Sequence, residues 1–205
     1  MKKILLSAII ALGAISANAQ DYGFNEGDVF VEGMLGYNSE DDTAASIKES
    51  NFTFTPKVGF MITEDFALGL QLGFGMDKTE NYGINTENKN NSFGVGVFGR
   101  YYFAELTQRI KVYSELGLGY NSYKTENRIA NVTAENKASG FGINAGLGIN
   151  YFVTPKIAIN FGFSDLIGYN TYKPENGDAT NNFHLNINNF NNFFDTARFG
   201  MTFKF

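Results

Sequence analysis

The strongest constraint on this sequence is an alternation of apolar residues with small or polar ones that continues through most of the chain. From Phe66 to Met76, every even-numbered residue is Phe, Leu or Met, and every odd-numbered residue is Ala, Gly or Gln. Because successive side chains of a β-strand point to opposite faces, this period of two indicates strands with one apolar face. Similar alternation recurs along the chain and predicts eight strands, at approximately residues 29–37, 52–62, 66–76, 92–103, 110–120, 141–151, 157–164 and 197–205.

The connections between these predicted strands alternate in length. The second, fourth and sixth strands are followed by the short links TED from Thr63, AELTQR from Ala104 and TPK from Thr154. The other four connections are long and polar, and they are rich in Asn, Thr, Glu and Ser. Short turns at one end and long loops at the other are typical of an up-and-down barrel.

The distribution of bulk between the two faces indicates which face meets lipid. One face is almost continuously Phe, Leu, Ile, Val and Tyr, whereas the other carries Gly, Ser, Thr, Asn, Gln and charged residues. A soluble lipocalin-like barrel needs an apolar interior, which the small polar face could not supply. An outward apolar face leaves the small face for the narrow lumen of eight strands. We therefore predict an all-β fold, an eight-stranded antiparallel up-and-down transmembrane β-barrel with short periplasmic turns and four long extracellular loops.

The first residues have the order of a secretory signal. Two lysines precede an apolar run from Ile4 to about Ile15, and small residues follow, ending in Ala17-Asn18-Ala19. The apolar run is too short to span a bilayer, and the small residues match an A-x-A-like cleavage site. We expect residues 1–19 to be a signal peptide and residues 20–205 to form the barrel domain.

Composition excludes several classes of function. The chain has no cysteine, so it has neither disulfides nor thiolate chemistry. Removal of Lys2 and Lys3 with the signal peptide changes the charge balance from 16 − 21 = −5 to 14 − 21 = −7. We expect no nucleic-acid partner, because binding to phosphates needs clustered Lys and Arg.

No metal or cofactor is expected either. The acidic stretches SEDD from Ser39 and DKTEN from Asp77 lack the order of an EF-hand loop, and solvated loops explain them better. The glycines that resemble a phosphate loop recur every second residue within strands, and no helix follows them.

Charged residues on the small face form the most informative constellation. Glu32 is expected to have Lys57 on the second strand and Arg198 on the closing strand as neighbours, and Glu115 to have Arg100 beside it. Charges in a narrow lumen must pair or stay hydrated. Two interpretations follow, a salt-bridged plug that rigidifies the barrel and a narrow pore gated by exchange of ion-pair partners.

Catalysis has one candidate residue. His184 is the only histidine, and it can be drawn into a triad with Ser164 or Asp178, but no nucleophile motif surrounds it. An incidental loop histidine is the better interpretation, so no catalytic residue is predicted.

Three local irregularities are expected. Pro56 cannot donate a backbone hydrogen bond, so a bulge or a broken pairing is predicted there. Asp165 falls on the apolar face of the seventh strand, which places it at the outer rim or requires a register shift near Ser164. The segment Phe183 to Phe194 reads either as loop or as an extension of the last hairpin.

Four stretches begin with glycine, an aromatic or apolar residue, and Asn or Asp. They are GYNSED from Gly36, GMDKTENYG from Gly75, GYNSYKTEN from Gly119 and GYNTYKPENG from Gly168. We interpret them as the outer ends of the ascending strands. Their tyrosines, Tyr37, Tyr120 and Tyr169, are predicted to belong to an aromatic girdle at the membrane interface.

The end of the chain and three internal stretches carry a family resemblance. The chain ends RFGMTFKF, with Phe199, Met201, Phe203 and Phe205 in alternation, which resembles the C-terminal signature of bacterial outer-membrane barrels. The stretches PKVGFMITEDFALGL from Pro56, FGRYYF from Phe98 and YSELGLGYN from Tyr113 resemble the small OmpA/OmpX-like barrels common in the Bacteroidetes.

The resemblance implies the outer membrane of a Gram-negative bacterium, with lipid, periplasmic chaperones and the barrel insertion machinery as partners and a monomeric state. The machinery is understood to recognise the C-terminal segment. For function, we expect a non-enzymatic protein with a structural or adhesion-like role carried by the outer loops. The alternative is a narrow porin-like channel gated by the interior charge pairs.

Overall fold

The computed structural model describes residues 22–129, 132–185 and 198–205. The predicted signal peptide, residues 1–19, lies outside these ranges. The described residues form the following strands: β1 Val29–Asp42, β2 Ile47–Met61, β3 Phe66–Asn81, β4 Thr86–Thr107, β5 Ile110–Ile129, β6 Val132–Thr154, β7 Ile157–Pro174, β8 Thr180–Leu185 and β9 Arg198–Lys204.

These strands close into a ring with eight positions. Each strand from β1 to β7 pairs antiparallel with the next one along the chain, and β9 closes the ring between β7 and β1. The short strand β8 pairs with the other part of β7, from Ile167 to Tyr172, so β8 and β9 share the eighth position. The prediction of an antiparallel up-and-down barrel is confirmed.

The strands are strongly tilted. Starting at Ile157, the paired residues lead once around the ring and return to β7 at Tyr169, 12 residues farther along (169 − 157 = 12). Over eight strands at the usual spacing, such a stagger gives a tilt of about 40–45°. This tilt keeps an eight-stranded lumen just wide enough for side chains.

The outer connections differ in form from the predicted long loops. Their polar segments continue the ladder as β-strands, so the hairpins of β1–β2 and β3–β4 end in the short turns 43–46 and 82–85. At the other end the links are as short as predicted. Thr63 lies in the four-residue turn between β2 and β3, and only two residues separate β4 from β5. We call these two rims the hairpin end and the short-turn end.

The two turns share one local structure, which explains why the polar segments are not open loops. The side chains of Asp42 and Asn81 each accept hydrogen bonds from the backbone N–H groups two and three residues later, at 2.9–3.2 Å. Four residues after each of them, Ser46 and Asn85 adopt positive φ angles of 57° and 52°. Such side-chain-capped turns reverse the chain in four residues, so the flanking polar residues can pair.

Both predicted strand irregularities are present. Pairing between β2 and β3 is interrupted at Pro56 and Thr55 without a change of register, as expected for a residue without an N–H donor. In β7, the partners change from Ala145–Ile167 to Leu147–Phe163, so three residues of β7 lie opposite one of β6, which is two extra residues in β7. The register shift predicted near Ser164 is therefore confirmed, although the side chains of Ser164 and Asp165 lie outside the description.

The apolar face points outward and the polar face inward, as the alternation predicted. Leu70 on β3 is 65% exposed, whereas Arg100 and Asn160 are fully buried inside the ring. In the described ranges, no helix is long and apolar enough to span a bilayer. For the segment Phe183 to Phe194, the residues up to Leu185 extend the last hairpin as β8, and the remainder lies outside the described residues.

Candidate functional site in the barrel lumen

A layer of four charged side chains crosses the middle of the lumen. The guanidinium of Arg100 contacts both carboxylate oxygens of Glu32, with Nη1–Oε2 and Nη2–Oε1 distances of 2.8 Å. It also donates to Oε2 of Glu115 from Nε at 2.9 Å and from Nη2 at 2.6 Å. Lys57 forms an ion pair with the other oxygen of Glu115. Two positive and two negative charges therefore compensate one another in this charge layer.

Neighbouring polar and aromatic groups hold the charge layer in place. Thr202 donates a hydrogen bond of 3.0 Å to Glu32, and Asn150 donates one of 3.2 Å to Thr202. The guanidinium carbon of Arg100 lies 4.0 Å from the ring centroid of Tyr113. A buried charge is stable only when its hydrogen bonds are satisfied, and these contacts supply them.

Arg198 is separate from this layer. The closing register places Thr202 opposite Glu32, whereas Arg198 lies opposite Gly162, nearer the hairpin end. The prediction that Arg198 is the cross-strand neighbour of Glu32 was therefore wrong. On β9, Arg198 precedes Thr202 by four residues, so it lies nearer the hairpin end than the charge layer does. The structure brings together Glu32, Lys57, Arg100 and Glu115, and their role as a plug or a gate stays a prediction.

Aromatic side chains fill the lumen at the short-turn end. Phe24, which precedes β1, lies inside the ring with ring centroids 5.3 Å from Phe30, 5.2 Å from Tyr102 and 5.3 Å from Phe152. Tyr22 accompanies it in this buried cluster, which we call the aromatic plug. The residues before β1 therefore enter the barrel and cover the charge layer from below.

Above the charge layer, the lumen contains a cavity of about 780 Å³ that extends toward the hairpin end. Its floor includes Lys57, Glu115 and Tyr113. Its wall carries many amide side chains, which are Gln71, Asn90, Asn121, Asn144, Asn170 and Asn182. Its upper part includes Tyr123, Tyr172, His184 and Arg198. The interior thus changes from apolar at the short-turn end, through charged, to amide-lined.

Four of these amides lie flat against the wall because each faces a glycine on the neighbouring strand. The paired positions are Gln71–Gly96, Gly94–Asn121, Gly117–Asn144 and Gly142–Asn170. A Cβ atom at Gly94, Gly117 or Gly142 would clash with the amide oxygen of its partner. The glycines therefore provide the space that keeps these amides at the wall and the centre of the cavity open.

No role was predicted for these amides, although the sequence contains a signal for them. Gly119 and Asn121, Gly142 and Asn144, and Gly168 and Asn170 are each two residues apart, so each pair shares the lumenal face of a strand. The Asn after the glycine was interpreted only as part of the outer end of an ascending strand. In the structure, Asn121 and Asn170 line the cavity.

His184 is a strand residue rather than a loop residue. It lies on β8 opposite Gly168, and its half-buried imidazole borders the cavity. A Cβ at Gly168 would clash with this ring, which repeats the arrangement of the amides. The position assigns His184 to the cavity wall.

The remaining predicted residues lie on the outer surface. Tyr37, Tyr120 and Tyr169 point outward from β1, β5 and β7, and their exposed fractions range from 42% to 74%. The C-terminal residues Phe199, Met201, Phe203 and Phe205 are also exposed on the outer face. Their predicted roles, as a girdle and as an insertion signal, stay predictions.

The outer wall changes from apolar to charged toward the hairpin end. On β3 the outward residues run from Leu72 through Met76 to Lys78, and on β5 from Tyr120 to Lys124. Lys78 forms ion pairs with Glu80 at 2.8 Å and Glu87 at 3.0 Å. A charged belt thus adjoins the apolar one.

Comparisons with known proteins agree with this architecture. No curated protein sequence matches the chain. The chain resembles the structure of a major outer membrane protein from Thermus thermophilus, with 11% identity and a TM-score of 0.53 over 87% of this chain and 98% of that one.

It also resembles OprG from Pseudomonas aeruginosa, with 13% identity and a TM-score of 0.51 over 89% of this chain and 98% of that one. At these identities the likeness concerns the fold alone. Residues 7–189 match the family described as the outer membrane protein beta-barrel domain. This protein therefore belongs to the outer membrane protein beta-barrel family and is integral to the outer membrane.

Proposed function

We propose that this barrel is a non-enzymatic protein whose specific role is surface contact through its outer hairpins, with the barrel as a membrane anchor. The obstructed lumen supports this proposal, because the charge layer and the aromatic plug occupy it in succession. A passive pore would need an open path through both. We therefore assign the specific function of this protein to its hairpin end.

The observation that best supports this proposal is that the hairpins extend far beyond the membrane and end in exposed apolar residues. β6 has 23 residues, and at about 3.3 Å per residue and the inferred tilt it spans about 50 Å, against about 30 Å of hydrocarbon. At the far ends, Ile84 is 70%, Ile129 65% and Val132 72% exposed. Apolar side chains above a charged belt are typical of a contact surface.

The position of the membrane edge supports this division. Tyr120 packs its ring against Phe141, with centroids 5.2 Å apart, and the charged residue Lys124 follows four residues later. Aromatic residues concentrate at membrane interfaces, and charged ones belong outside. We place the outer interface at Tyr37, Tyr120 and Tyr169, so the hairpin tips project from the cell.

The register provides a direct test. Lys78 pairs with Lys89 and Lys124 with Lys137, so residues 79–88 and 125–136 can each be replaced by Asn-Gly with the register of the remaining strand pairs kept. Cells that display this shortened variant should lose adherence to immobilised protein and polysaccharide surfaces. A variant with Ile84, Ile129 and Val132 replaced by Ser is the matched full-length test. Undiminished adherence and envelope integrity in the shortened variant would refute the proposal.

Biogenesis follows from the same proposal. We propose cleavage after Ala19, insertion as a monomer into a Gram-negative, Bacteroidetes-type outer membrane, and recognition by chaperones and insertion machinery of the segment ending in Phe205. Deletion of Phe205 should lower the amount of assembled barrel while leaving the amount synthesised unchanged.

A narrow channel is the second candidate, and the cavity favours it. The cavity reaches the ion pair between Lys57 and Glu115, so exchange of partners there would extend it downward. Conduction would also require displacement of Phe24. Silence in a planar bilayer of both the wild-type protein and a folded Arg100→Ala variant would dispose of this candidate.

A further inference from the structure

We propose that the lumenal cavity is a binding site for a small neutral polyhydroxylated molecule, of the size of a mono- or disaccharide. This site is independent of the surface contacts proposed for the hairpins. The proposal is based on the amide lining, the charge compensation at the floor, the aromatic pair above and the volume.

The lining matches hydroxyl groups. The amides of Gln71, Asn121, Asn144 and Asn170 each offer two N–H donors and an acceptor oxygen. A hydroxyl also donates and accepts, so a wall of amides satisfies a polyol in several orientations. Because glycine partners hold these amides at the wall, the hydrogen-bonding groups surround the space instead of filling it.

The floor does not favour an ion. Glu115 is engaged by both Lys57 and Arg100, and the second carboxylate of the layer, Glu32, is engaged by Arg100. A charged ligand would need to break these buried pairs, which is expensive. A neutral polar ligand can contact the floor through Tyr113 and leave the pairs intact.

Two tyrosines meet at the upper part of the cavity. The rings of Tyr123 on β5 and Tyr172 on β7 have centroids 5.7 Å apart, and the intervening strand carries the small residue Ala138 opposite Tyr123. Aromatic rings provide an apolar face beside a polar hydroxyl, which suits the mixed surface of a sugar ring. The volume of about 780 Å³ lies within the range of small-molecule sites.

The probes are glucose and trehalose, titrated into the refolded full chain in detergent micelles. Side-chain amide NMR signals of Asn121, Asn144 and Asn170 should shift with saturation, whereas exposed amides should not. Gly73→Leu is the blocking variant, since Gly73 lines the cavity and a Cβ there meets no atom closer than 4.0 Å. It should weaken binding tenfold or more.

Gly99→Leu is the matched control, because Gly99 lies on the outer face and a Cβ there has only ordinary contacts from 3.5 Å. It should bind as the parent does. Absence of saturable amide shifts with both sugars at 100 mM, or equal binding by Gly73→Leu, would overturn the proposal. So would saturable binding of inorganic phosphate or glycine in the absence of sugar binding. The variant with shortened hairpins retains the cavity. Its sugar binding therefore tests this proposal, and its adherence tests the proposed surface contacts independently.

Discussion

Arg100 on β4 and Glu32 on β1 form a two-point ion pair across the lumen, with both nitrogen–oxygen distances at 2.8 Å and both side chains fully buried. The two strands are separated in the ring by β2 and β3. The pair therefore connects opposite parts of the wall and obstructs the space between them. Glu115 and Lys57 complete a layer without net charge.

Arg100→Ala is expected to destabilise the barrel strongly, because it leaves Glu32 buried without its cation. Removal of one partner of a buried pair costs about 3–5 kcal/mol. The measurement is urea unfolding in detergent micelles. Lys78→Ala, which removes a surface pair on the outer wall, should cost at most about 1 kcal/mol. Equal midpoints for the two variants would contradict the assignment of Arg100 to a buried network.

Two glycine substitutions should differ sharply in their effect. A Cβ at Gly59 would clash with the ring of Phe30, which is buried against Phe24 and Phe98, so Gly59→Ala should cost about 1–3 kcal/mol through overpacking. At Gly73 a Cβ meets only backbone atoms at 4.0 Å, so Gly73→Ala should be close to neutral. Urea unfolding in detergent micelles measures both effects on stability. A larger loss of stability in Gly59→Ala is expected, and a larger loss in Gly73→Ala would contradict the packing described for the lumen.

The segment before β1 should be protected by the barrel. Since the chain contains no cysteine, a single thiol can be introduced without background. Phe24→Cys should react with a bulky maleimide at least tenfold more slowly than Glu26→Cys, because Phe24 is buried in the aromatic plug and Glu26 is exposed. Labelling of the folded barrel in micelles is the measurement. Similar rates at both positions would mean that this segment lies outside the lumen.

The stability that the charged belt on the outer wall contributes should depend on pH in a defined direction. The hydrogen bond from Lys78 holds the pKa of Glu87 below its ordinary value of 4.5. The stabilisation from this pair is therefore fully present above pH 4.5, and it is lost as the pH falls through the lower pKa of the folded state. Carboxyl NMR titration should show Glu87 titrating below 4.5, and Lys78→Met should raise the pKa of Glu87.

Lys173→Met on β7 is the control and should leave the titration of Glu87 unchanged. An unaltered Glu87 titration in Lys78→Met would show that the hydrogen bond is absent in solution.

The barrel class could be predicted from sequence because alternation reports directly which side chains share a face. The same reasoning identified Glu32, Lys57, Arg100 and Glu115 as lumenal. It could not rank their partners, because the pairing of Arg100 with Glu32 depends on which strands face each other across a lumen. The wrong prediction for Arg198 has the same cause. Alternation shows which face of the sheet a residue is on, but it does not show the register in which the closing strand pairs.

The outer hairpins show a second limit of the sequence. Polar runs after Asn38 and Asp77 were interpreted as loops because they lack an apolar face. In the structure they pair along their length, through contacts such as the hydrogen bond from Asn51 to Asp77 and the capped turns at Asp42 and Asn81. Strands outside a membrane and outside a core need no apolar alternation, so periodicity could not reveal them.

Planar-bilayer conductance of the refolded wild-type protein tests most directly the claim that the lumen is closed and that function lies at the hairpin end. With Arg100, Glu32 and Phe24 in place, we expect no stepwise current under applied voltage. Steady single-channel conductance by the wild-type barrel would contradict a closed lumen.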